Sequence, residues 1–348
     1  MPESRDPIQD LKKIAFRLER AGEPTYRVRA FRNAAKTLGT LTPGEVRDRA
    51  AAGTLRELAG IGEATAKAVE ESLAGQEPGY LAKLTDAKVR PDPGTGGDLC
   101  RALRGDCHTH SDWSDGGSPI GEMAEAAREL GHEYIVLTDH SPRLTVANGL
   151  TAERLREQLD VVAALNQEFA DDTAAGRAQP FLILTGIEVD ILDDGALDQS
   201  DELLGRLDVV VASVHSKLRM DAGAMTERMA RAAANPHTDI LGHCTGRLVT
   251  GRGRPESQFD AELVFEACRQ FGTAVEINSR PERLDPPRRL LTLAVEMGCE
   301  FSIDTDAHAP GQLTWQPFGC ERAQECGVPA DRVINTKSYA DLLAWTRH

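Results

Sequence analysis

The 348-residue sequence lacks several features that would place it in a specialised class of protein. Its seven cysteines, from Cys100 to Cys326, are odd in number and include no CxxC pair, which argues against a disulfide scaffold and a zinc finger. No apolar run approaches the roughly 18 residues of a membrane-spanning helix, and the start MPESRDPIQD shows no signal peptide. We therefore expect a globular cytoplasmic protein with no membrane partner.

Charge is distributed unevenly along the chain. Residues 1–90 contain 16 Lys and Arg against 13 Asp and Glu, whereas residues 91–348 contain 24 against 42, and the net charge is −15. A small basic head is thus joined to a strongly acidic body. An acidic body that handles an anionic substrate needs a source of positive charge, and bound metal ions are one physical answer.

The sequence divides into two domains and a linker. Residues 1–85 show apolar positions at helical spacing and predict a small all-α domain. Residues 86–100 contain three glycines and two prolines and are typical of a linker. Residues 101–348 form the second domain, in which short apolar runs alternate with amphipathic helical stretches.

Seven apolar runs in the second domain are interpreted as strands. They are 103–107, 134–137, 181–187, 209–214, 240–241, 274–277 and 301–303. Strands interleaved with helices imply parallel βα units. In about 245 residues an α/β barrel is the natural closure, and an open doubly wound sheet is the alternative.

Histidines and carboxylates cluster at the downstream ends of these runs. Parallel strands in a barrel point their carboxyl ends at one face, so these side chains are expected to meet at one mouth. Imidazole and carboxylate without cysteine suit zinc, manganese or iron, and nine ligands are enough for two or three ions. The nine are His108, His110, Asp115, His140, Glu188, His215, His243, Asp306 and His308.

The motifs that contain these residues resemble those of the polymerase and histidinol phosphatase (PHP) domain. They are DCHTH with SDG, TDHS, GIE, SVHS, GH and TDAH, over residues 103 to about 340. The resemblance is strongest to the PHP domain at the carboxyl terminus of bacterial family X DNA polymerases, and it implies a distorted (β/α)7 barrel. It also implies three ions, held by His108, His110, Glu188 and Asp306, by Glu188, His215 and His243, and by Asp115, His140 and His308.

The chemistry expected of such ions is hydrolysis of a phosphate ester. A metal ion lowers the pKa of bound water to about 7, so that hydroxide is available near neutral pH to attack phosphorus. Arginine matches the geometry of phosphate oxygens. Arg247, Arg280 and Lys217 are therefore the candidates to hold the phosphate.

The head contains a sequence that resembles a helix-hairpin-helix. In the stretch LAGIGEATA, the turn Gly60-Ile61-Gly62 would let backbone N–H groups approach a DNA phosphate, with Ala64 and Thr65 at the start of the next helix. The stretch around Tyr26 also resembles the amino-terminal domain of family X polymerases. The catalytic palm of those polymerases is missing between head and body, which excludes nucleotide polymerisation.

Three functions fit these observations. The leading hypothesis is a metal-dependent phosphoesterase that acts on DNA in repair, as a 3′–5′ exonuclease or by removing a 3′ phosphate. The second is a phosphatase of a small phosphomonoester such as histidinol phosphate. The third is a non-catalytic DNA-binding protein with a structural metal cluster.

Overall fold

The computed structural model describes residues 5–84 and 97–346. These residues form two compact units, which meet in the sequence within residues 85–96. Residues 86–96 of the predicted linker lie outside the described residues. Its last four residues belong to a helix, Gly97–Ala102, because Leu99 is buried in the core of the second unit.

The first unit is all-α, as predicted. Its helices are α1 (Pro7–Arg20), α2 (Thr25–Gly39), α3 (Pro43–Ala52), α4 (Glu63–Leu73) and α5 (Gly79–Lys83), with a 3-10 turn at Leu55–Glu57. Helix α3 begins with a capping box, in which Thr42 and Glu45 satisfy each other's backbone N–H groups. The apolar stripes of α1, α2 and α4 pack into one hydrophobic core.

The second unit is a sheet of seven parallel strands in sequential order, in a nearly closed barrel. The strands are β1 (Gly105–Thr109), β2 (Tyr134–Leu137), β3 (Leu182–Asp190), β4 (Val209–Ser213), β5 (Ile240–Leu241), β6 (Ala274–Asn278) and β7 (Phe301–Asp304). The barrel prediction is therefore confirmed, and the open doubly wound sheet is excluded.

Helices cover the outside of this barrel. After α6 (Gly97–Ala102), they are α7 (Ile120–Glu129), α8 (Ala152–Ala174), α9 (Asp201–Leu204), α10 (Ala222–Ala233), α11 (Ala261–Phe271), α12 (Arg288–Met297), α13 (Gln316–Glu325) and α14 (Tyr339–Trp345). Two hydrophobic clusters join the helices to the sheet. None of the helices in the described ranges is both long and apolar enough to cross a bilayer.

Carboxylates help to join the first strand to the last. The Asp304 Oδ1 atom accepts a hydrogen bond from the backbone N–H of Cys107 at 2.8 Å, and Asp106 accepts one from the Thr305 hydroxyl at 2.5 Å. Backbone pairing follows beyond them, where the His110 N–H donates to the Ala307 carbonyl at 2.8 Å. This seam brings the ends of β1 and β7 together.

The barrel interior changes character from one end to the other. Leu184 on β3 lies in a buried apolar cluster with residues of neighbouring strands. Glu188 is four residues further along the same strand, on the same face because side chains alternate with a period of two. The apolar end therefore forms a floor, and the polar residues lie toward the carboxyl ends of the strands.

Candidate metal centre

Glu188 is the centre of a buried group of imidazoles. This residue lies in β3 and is 1% exposed. Its Oε1 atom is 2.9 Å from Nε2 of His243 and 3.2 Å from Nε2 of His215. Its Oε2 atom is 2.9 Å from Nδ1 of His140 and 3.3 Å from Nε2 of His108. Ligands from several strand ends are thus close enough to share one carboxylate.

Asp306 and Asp115 extend this group toward the mouth of the barrel. Oδ1 of Asp306 is 3.4 Å from Nε2 of His110 and 3.5 Å from Nδ1 of His308. Oδ1 of Asp115 is 3.3 Å from Nε2 of His308 and 3.5 Å from Nε2 of His140. The structure therefore brings all nine predicted ligands into one cluster.

The orientation of these side chains fits metal coordination better than hydrogen bonding. His140 Nδ1 and Glu188 Oε2 lie 2.9 Å apart, yet neither has a hydrogen-bond partner of acceptable geometry. The same is true of Nε2 of His108 and both ring nitrogens of His110. Buried polar atoms are normally hydrogen-bonded. Lone pairs that are close together but unpaired are arranged as ligands around common centres, so the residues fit divalent ions.

Three groups of potential ligand atoms stand out, each with its members within 4.8 Å of one another. They are His110, Asp115, His140 and His308; His108, His110 and Asp306; and His140, Glu188 and His215. These overlap the three sets that the resemblance implies. The grouping differs from the implied sets in three ways: His110 and His140 each take part in two groups, Glu188 takes part in only one, and His243 takes part in none.

Strong electrostatic coupling holds the carboxylates ionised. Burial opposes ionisation of Glu188, but the surrounding His108, His215 and His140 outweigh it and hold its pKa well below the usual range. For Asp306 the opposing burial is outweighed by Arg280 and Arg283, and its pKa is also strongly lowered. Burial, together with His308 and His140, lowers the pKa of His110 to about 3, so this ligand is neutral.

Two carboxylates behind the ligands were not predicted as site residues. Oε1 of Glu276 is 2.6 Å from Nδ1 of His108, and Oδ1 of Asp190 is 3.3 Å from Nδ1 of His215. Each contact turns the opposite ring nitrogen toward Glu188 and fixes the tautomer of a ligand. A sequence signal existed for both: Glu276 interrupts an apolar strand, and Asp190 shares a strand face with Glu188.

Arginines line the cavity above the ligands, which has a volume of about 430 Å³. Arg280 is one of the predicted phosphate-holding residues, and it lines this cavity with Arg254 and Arg283. Nε of Arg283 is 3.1 Å from Oδ2 of Asp306. Arg283 was missed because it lies in a loop, where no strand period indicates which way a side chain points.

The other two predicted phosphate-holding residues lie elsewhere. Arg247 donates to the backbone carbonyls of Arg283 and Leu284, and Lys217 forms an exposed ion pair with Asp193. Neither is among the described residues that line the cavity. Arg247 is therefore better interpreted as a support for the loop that carries Arg283, and Lys217 as a surface residue.

The predicted DNA-binding turn is divided between surface and core. Gly60 has a left-handed φ of +81°, and Gly62 is exposed and precedes α4. Ala64 is also exposed. Ile61 and Thr65 are buried instead, and the Thr65 hydroxyl accepts a hydrogen bond from the Gly62 N–H at 2.9 Å. The two buried side chains hold the turn and leave its backbone outside.

Comparison with protein families places both parts of the chain. A family model described as the PHP domain matches residues 106–342, and one described as a helix-hairpin-helix domain matches residues 3–78. The first match covers most of the second unit, including all nine predicted ligands. The second covers the turn at Gly60.

Among curated relatives, the chain is 41% identical over 245 residues to a DNA polymerase/3′–5′ exonuclease PolX of Bacillus subtilis. That alignment covers 70% of this chain and 41% of the relative, so the chain spans less than half of the polymerase's length. It is 29% identical over 246 residues to a probable phosphatase of Thermoanaerobacter, covering 66% of this chain and 89% of that protein.

Among solved structures, a histidinol phosphate phosphatase from Lactococcus lactis, complexed with zinc, L-histidinol and phosphate, is 17% identical with a TM-score of 0.43. The match covers 64% of this chain and 92% of that structure.

Proposed function

Because this chain belongs to the PHP domain family, we propose that it is a metal-dependent phosphoesterase that processes the 3′ ends of DNA. It would act as a 3′–5′ exonuclease or remove a 3′ phosphate. The observation that carries the proposal is that nine imidazoles and carboxylates, Glu188 and Asp306 among them, form one cluster below an arginine-lined cavity. The helix-hairpin-helix domain and the exonuclease relative support DNA as the substrate.

The nine clustered residues would hold two or three divalent ions, of zinc, manganese or iron. When bound, such ions provide a water of lowered pKa, about 7, and neutralise charge on the phosphate. Glu276 and Asp190 orient the imidazoles that face Glu188. The buried position of Glu188 excludes bulk water from one side of the site, which strengthens its electrostatic interactions.

The arginine wall would bind the phosphate of the substrate. Arg280 lies 3.5 Å from Asp306 and 3.1 Å from His308 Nδ1, so its guanidinium is positioned directly beside the ligands. The guanidinium carbon of Arg280 also lies over the ring of Trp315, 6.0 Å from the ring centroid. This cation–π contact restricts the arginine and lowers the entropy lost when it binds an anion.

A phosphatase of a small phosphomonoester is the second candidate. It is favoured by the curated relative named as a probable phosphatase, of which the chain covers 89%. In this case the head would be a docking remnant, and turnover of the small substrate would not depend on it. The third hypothesis, a non-catalytic DNA-binding protein with a structural metal cluster, is disfavoured by the family match and by the relatives, which are named as an exonuclease and a probable phosphatase.

Two measurements test the proposal. The rate of hydrolysis of a 3′-recessed DNA duplex is compared with that of a small phosphomonoester. Manganese, zinc or iron is added to both reactions. We expect faster turnover of the duplex, and preference for the small ester would favour the second candidate. A double variant with His108→Ala and His110→Ala should lose hydrolysis. The control His237→Ala should keep it, because His237 lies outside the cluster. Metal-dependent activity retained in the double variant would contradict the proposal.

A further inference from the structure

Two leucines belong to the lining of the arginine-lined cavity above the candidate ligands. Leu144 and Leu248 are both partly exposed, and both line this cavity together with the arginines. Neither is a member of the hydrophobic clusters that the described residues of the barrel form. Leucines that face a cavity rather than the core leave apolar surface in contact with water, which a ligand can bury favourably. The cavity therefore offers more than a site for an anion.

Leu248 begins a short hairpin, residues 248–254, after strand β5. Leu248 and Arg254 exchange both backbone hydrogen bonds, with the Leu248 N–H donating at 3.0 Å and the Arg254 N–H at 2.9 Å. Side chains of residues paired in this way lie on the same side of the hairpin. Val249 points to the other side, is 48% exposed and is not among the described residues that line the cavity. The hairpin thus places an apolar and a cationic group next to each other in the cavity.

Backbone hydrogen bonds fix both leucines relative to the candidate site. In the hairpin, the Val249 N–H donates to the carbonyl of Glu282 at 2.7 Å, in the loop that carries the cavity arginines. After strand β2, the Leu150 N–H donates to the carbonyl of His140 at 2.7 Å and closes the loop that contains Leu144. Because these loops are already held in place, little entropy is lost in ordering them when a ligand binds.

The charge of Arg254 is not neutralised by an ion pair. Burial and the neighbouring charge of Arg283 lower the pKa of Arg254, so its guanidinium is poorly solvated. Within the described ranges no carboxylate forms an ion pair with Arg254, whereas Nε of Arg283 is 3.1 Å from Asp306. A free guanidinium beside apolar surface favours a ligand that is anionic at one end and apolar at the other.

We propose that Leu144 and Leu248 contact the sugar and base of the nucleotide whose phosphate is hydrolysed, and that they determine specificity for nucleotide esters. The inference rests on the proposed function, because it names the part of a DNA strand that the cavity receives. A base has an apolar face whatever its identity, so such a contact does not depend on sequence. Esters of glycerol or of a sugar carry hydroxyl groups instead and would leave the leucines without an apolar partner.

The size of the cavity is consistent with this ligand. Its volume of about 430 Å³ lies within the range of roughly 300 to 1,000 Å³ that is usual for small-molecule sites. It is lined by both apolar side chains and a few polar groups, as such sites generally are.

Two chromogenic esters test the proposal with the full chain and added manganese. The p-nitrophenyl ester of thymidine 5′-phosphate and methyl p-nitrophenyl phosphate have the same reacting bond and leaving group, but only the first carries a nucleoside. The parent protein should prefer the thymidine ester. In a double variant with Leu144→Ser and Leu248→Ser, kcat/KM for this ester should fall about tenfold, mainly through KM, because an apolar contact is lost. The methyl ester should be affected far less.

A binding measurement and two further variants accompany the rates. Affinity for thymidine 5′-phosphate, measured by isothermal titration calorimetry, should also fall about tenfold in the double variant. Val249→Ser is the matched control and should keep the preference, because Val249 points away from the cavity. Leu248→Ile keeps an apolar side chain and should retain most of the preference. Circular dichroism checks that each variant is folded.

The outcomes separate this inference from the proposed function. An unchanged preference in the double variant overturns the leucine contacts, and so does an equal loss for both esters, which would mean that the leucines only support the metal ligands. If the parent protein degrades 3′-recessed DNA without preferring the thymidine ester, DNA processing stands and this inference fails. Preference for the thymidine ester without hydrolysis of DNA would support the leucine contacts and overturn DNA as the substrate. If neither DNA nor the thymidine ester is hydrolysed, both proposals fail.

Discussion

At the scale of single residues, the candidate site depends on carboxylates that lie behind the predicted ligands. Glu276 is buried behind His108, and its second oxygen accepts a hydrogen bond from the backbone N–H of His243 at 2.5 Å. One side chain thereby fixes the ring of one ligand and the backbone of another. Such contacts matter for metal affinity because a ligand that rotates freely binds metal less tightly.

We expect Glu276→Gln to weaken metal binding by roughly 10- to 100-fold. The amide keeps the shape of the carboxylate but loses the charge that faces Nδ1 of His108. Competition with a chromophoric chelator measures the affinity, and Glu262→Gln, at an exposed position of α11, is the control. Equal affinity in the Glu276 variant and the parent would show that this carboxylate has no role in orienting His108.

Asp239 provides a pH test that is independent of the metal ligands. It is 6% exposed and accepts a hydrogen bond from the Val210 N–H at 2.7 Å. Burial raises its pKa to about 8, well above the value of 3.8 for an exposed aspartate. Between these values the folded state holds a proton that the unfolded state has released, so the free energy of unfolding contributed by this group falls as pH rises.

Asp239→Asn should remove this pH dependence. Since asparagine does not titrate, the variant should gain stability relative to the parent as pH rises from about 5 to 8. Urea unfolding of both proteins at several pH values measures the difference, and one unit of pKa corresponds to about 1.4 kcal/mol. If the difference in free energy of unfolding between the two proteins is constant over this pH range, the pKa of Asp239 is not raised in the folded protein.

At the scale of elements, one arginine ties together two loops that carry ligands. Arg154, near the start of α8, donates to the backbone carbonyls of Trp113 and Asn148, the latter at 2.8 Å. Asn148 also donates to the Trp113 carbonyl at 3.2 Å. Trp113 lies two residues before Asp115, so the clamp connects the loop of Asp115 with the segment that follows His140.

We expect the Arg154→Ala variant to bind metal less tightly at the group that contains Asp115. The more deeply buried groups should keep their metal. The reason is that Asp115 is the most exposed of the clustered ligands, with 38% of its side chain accessible, and its loop would lose the hydrogen bonds that hold it. Metal content after dialysis, measured by inductively coupled plasma mass spectrometry, reports the loss. Arg156→Ala on the same helix is the control, and an unchanged metal-to-protein ratio in Arg154→Ala would contradict the expectation.

At the scale of the whole molecule, the two units have separate hydrophobic cores. The candidate metal ligands all belong to the second unit, and ions that bind only its folded form stabilise that unit by mass action. We therefore expect calorimetry to show two unfolding transitions, of which a chelator lowers only the one that belongs to the barrel. If both midpoints fall together, the two units unfold as one cooperative system.

Local patterns in the sequence were enough to predict the order of the strands and to choose the candidate ligands. Strands β2 and β5 have the bounds that the apolar runs predicted, and the others differ by a few residues at their ends. Burial of a parallel strand leaves a continuous apolar run, and the first polar residue after it marks the mouth of the barrel. Both signals are local in the chain. For this reason residues such as Glu188 could be predicted as candidate ligands from the sequence.

Long-range packing determines which arginines face the cavity and which carboxylates lie behind the candidate ligands. Arg247 and Arg283 belong to loops, where the direction of a side chain depends on packing rather than on a repeating period. Arg247 donates a hydrogen bond to a backbone carbonyl of a neighbouring loop, whereas Arg283 forms an ion pair with Asp306. Contacts between residues far apart in the chain set these roles, and no spacing along the sequence encodes them.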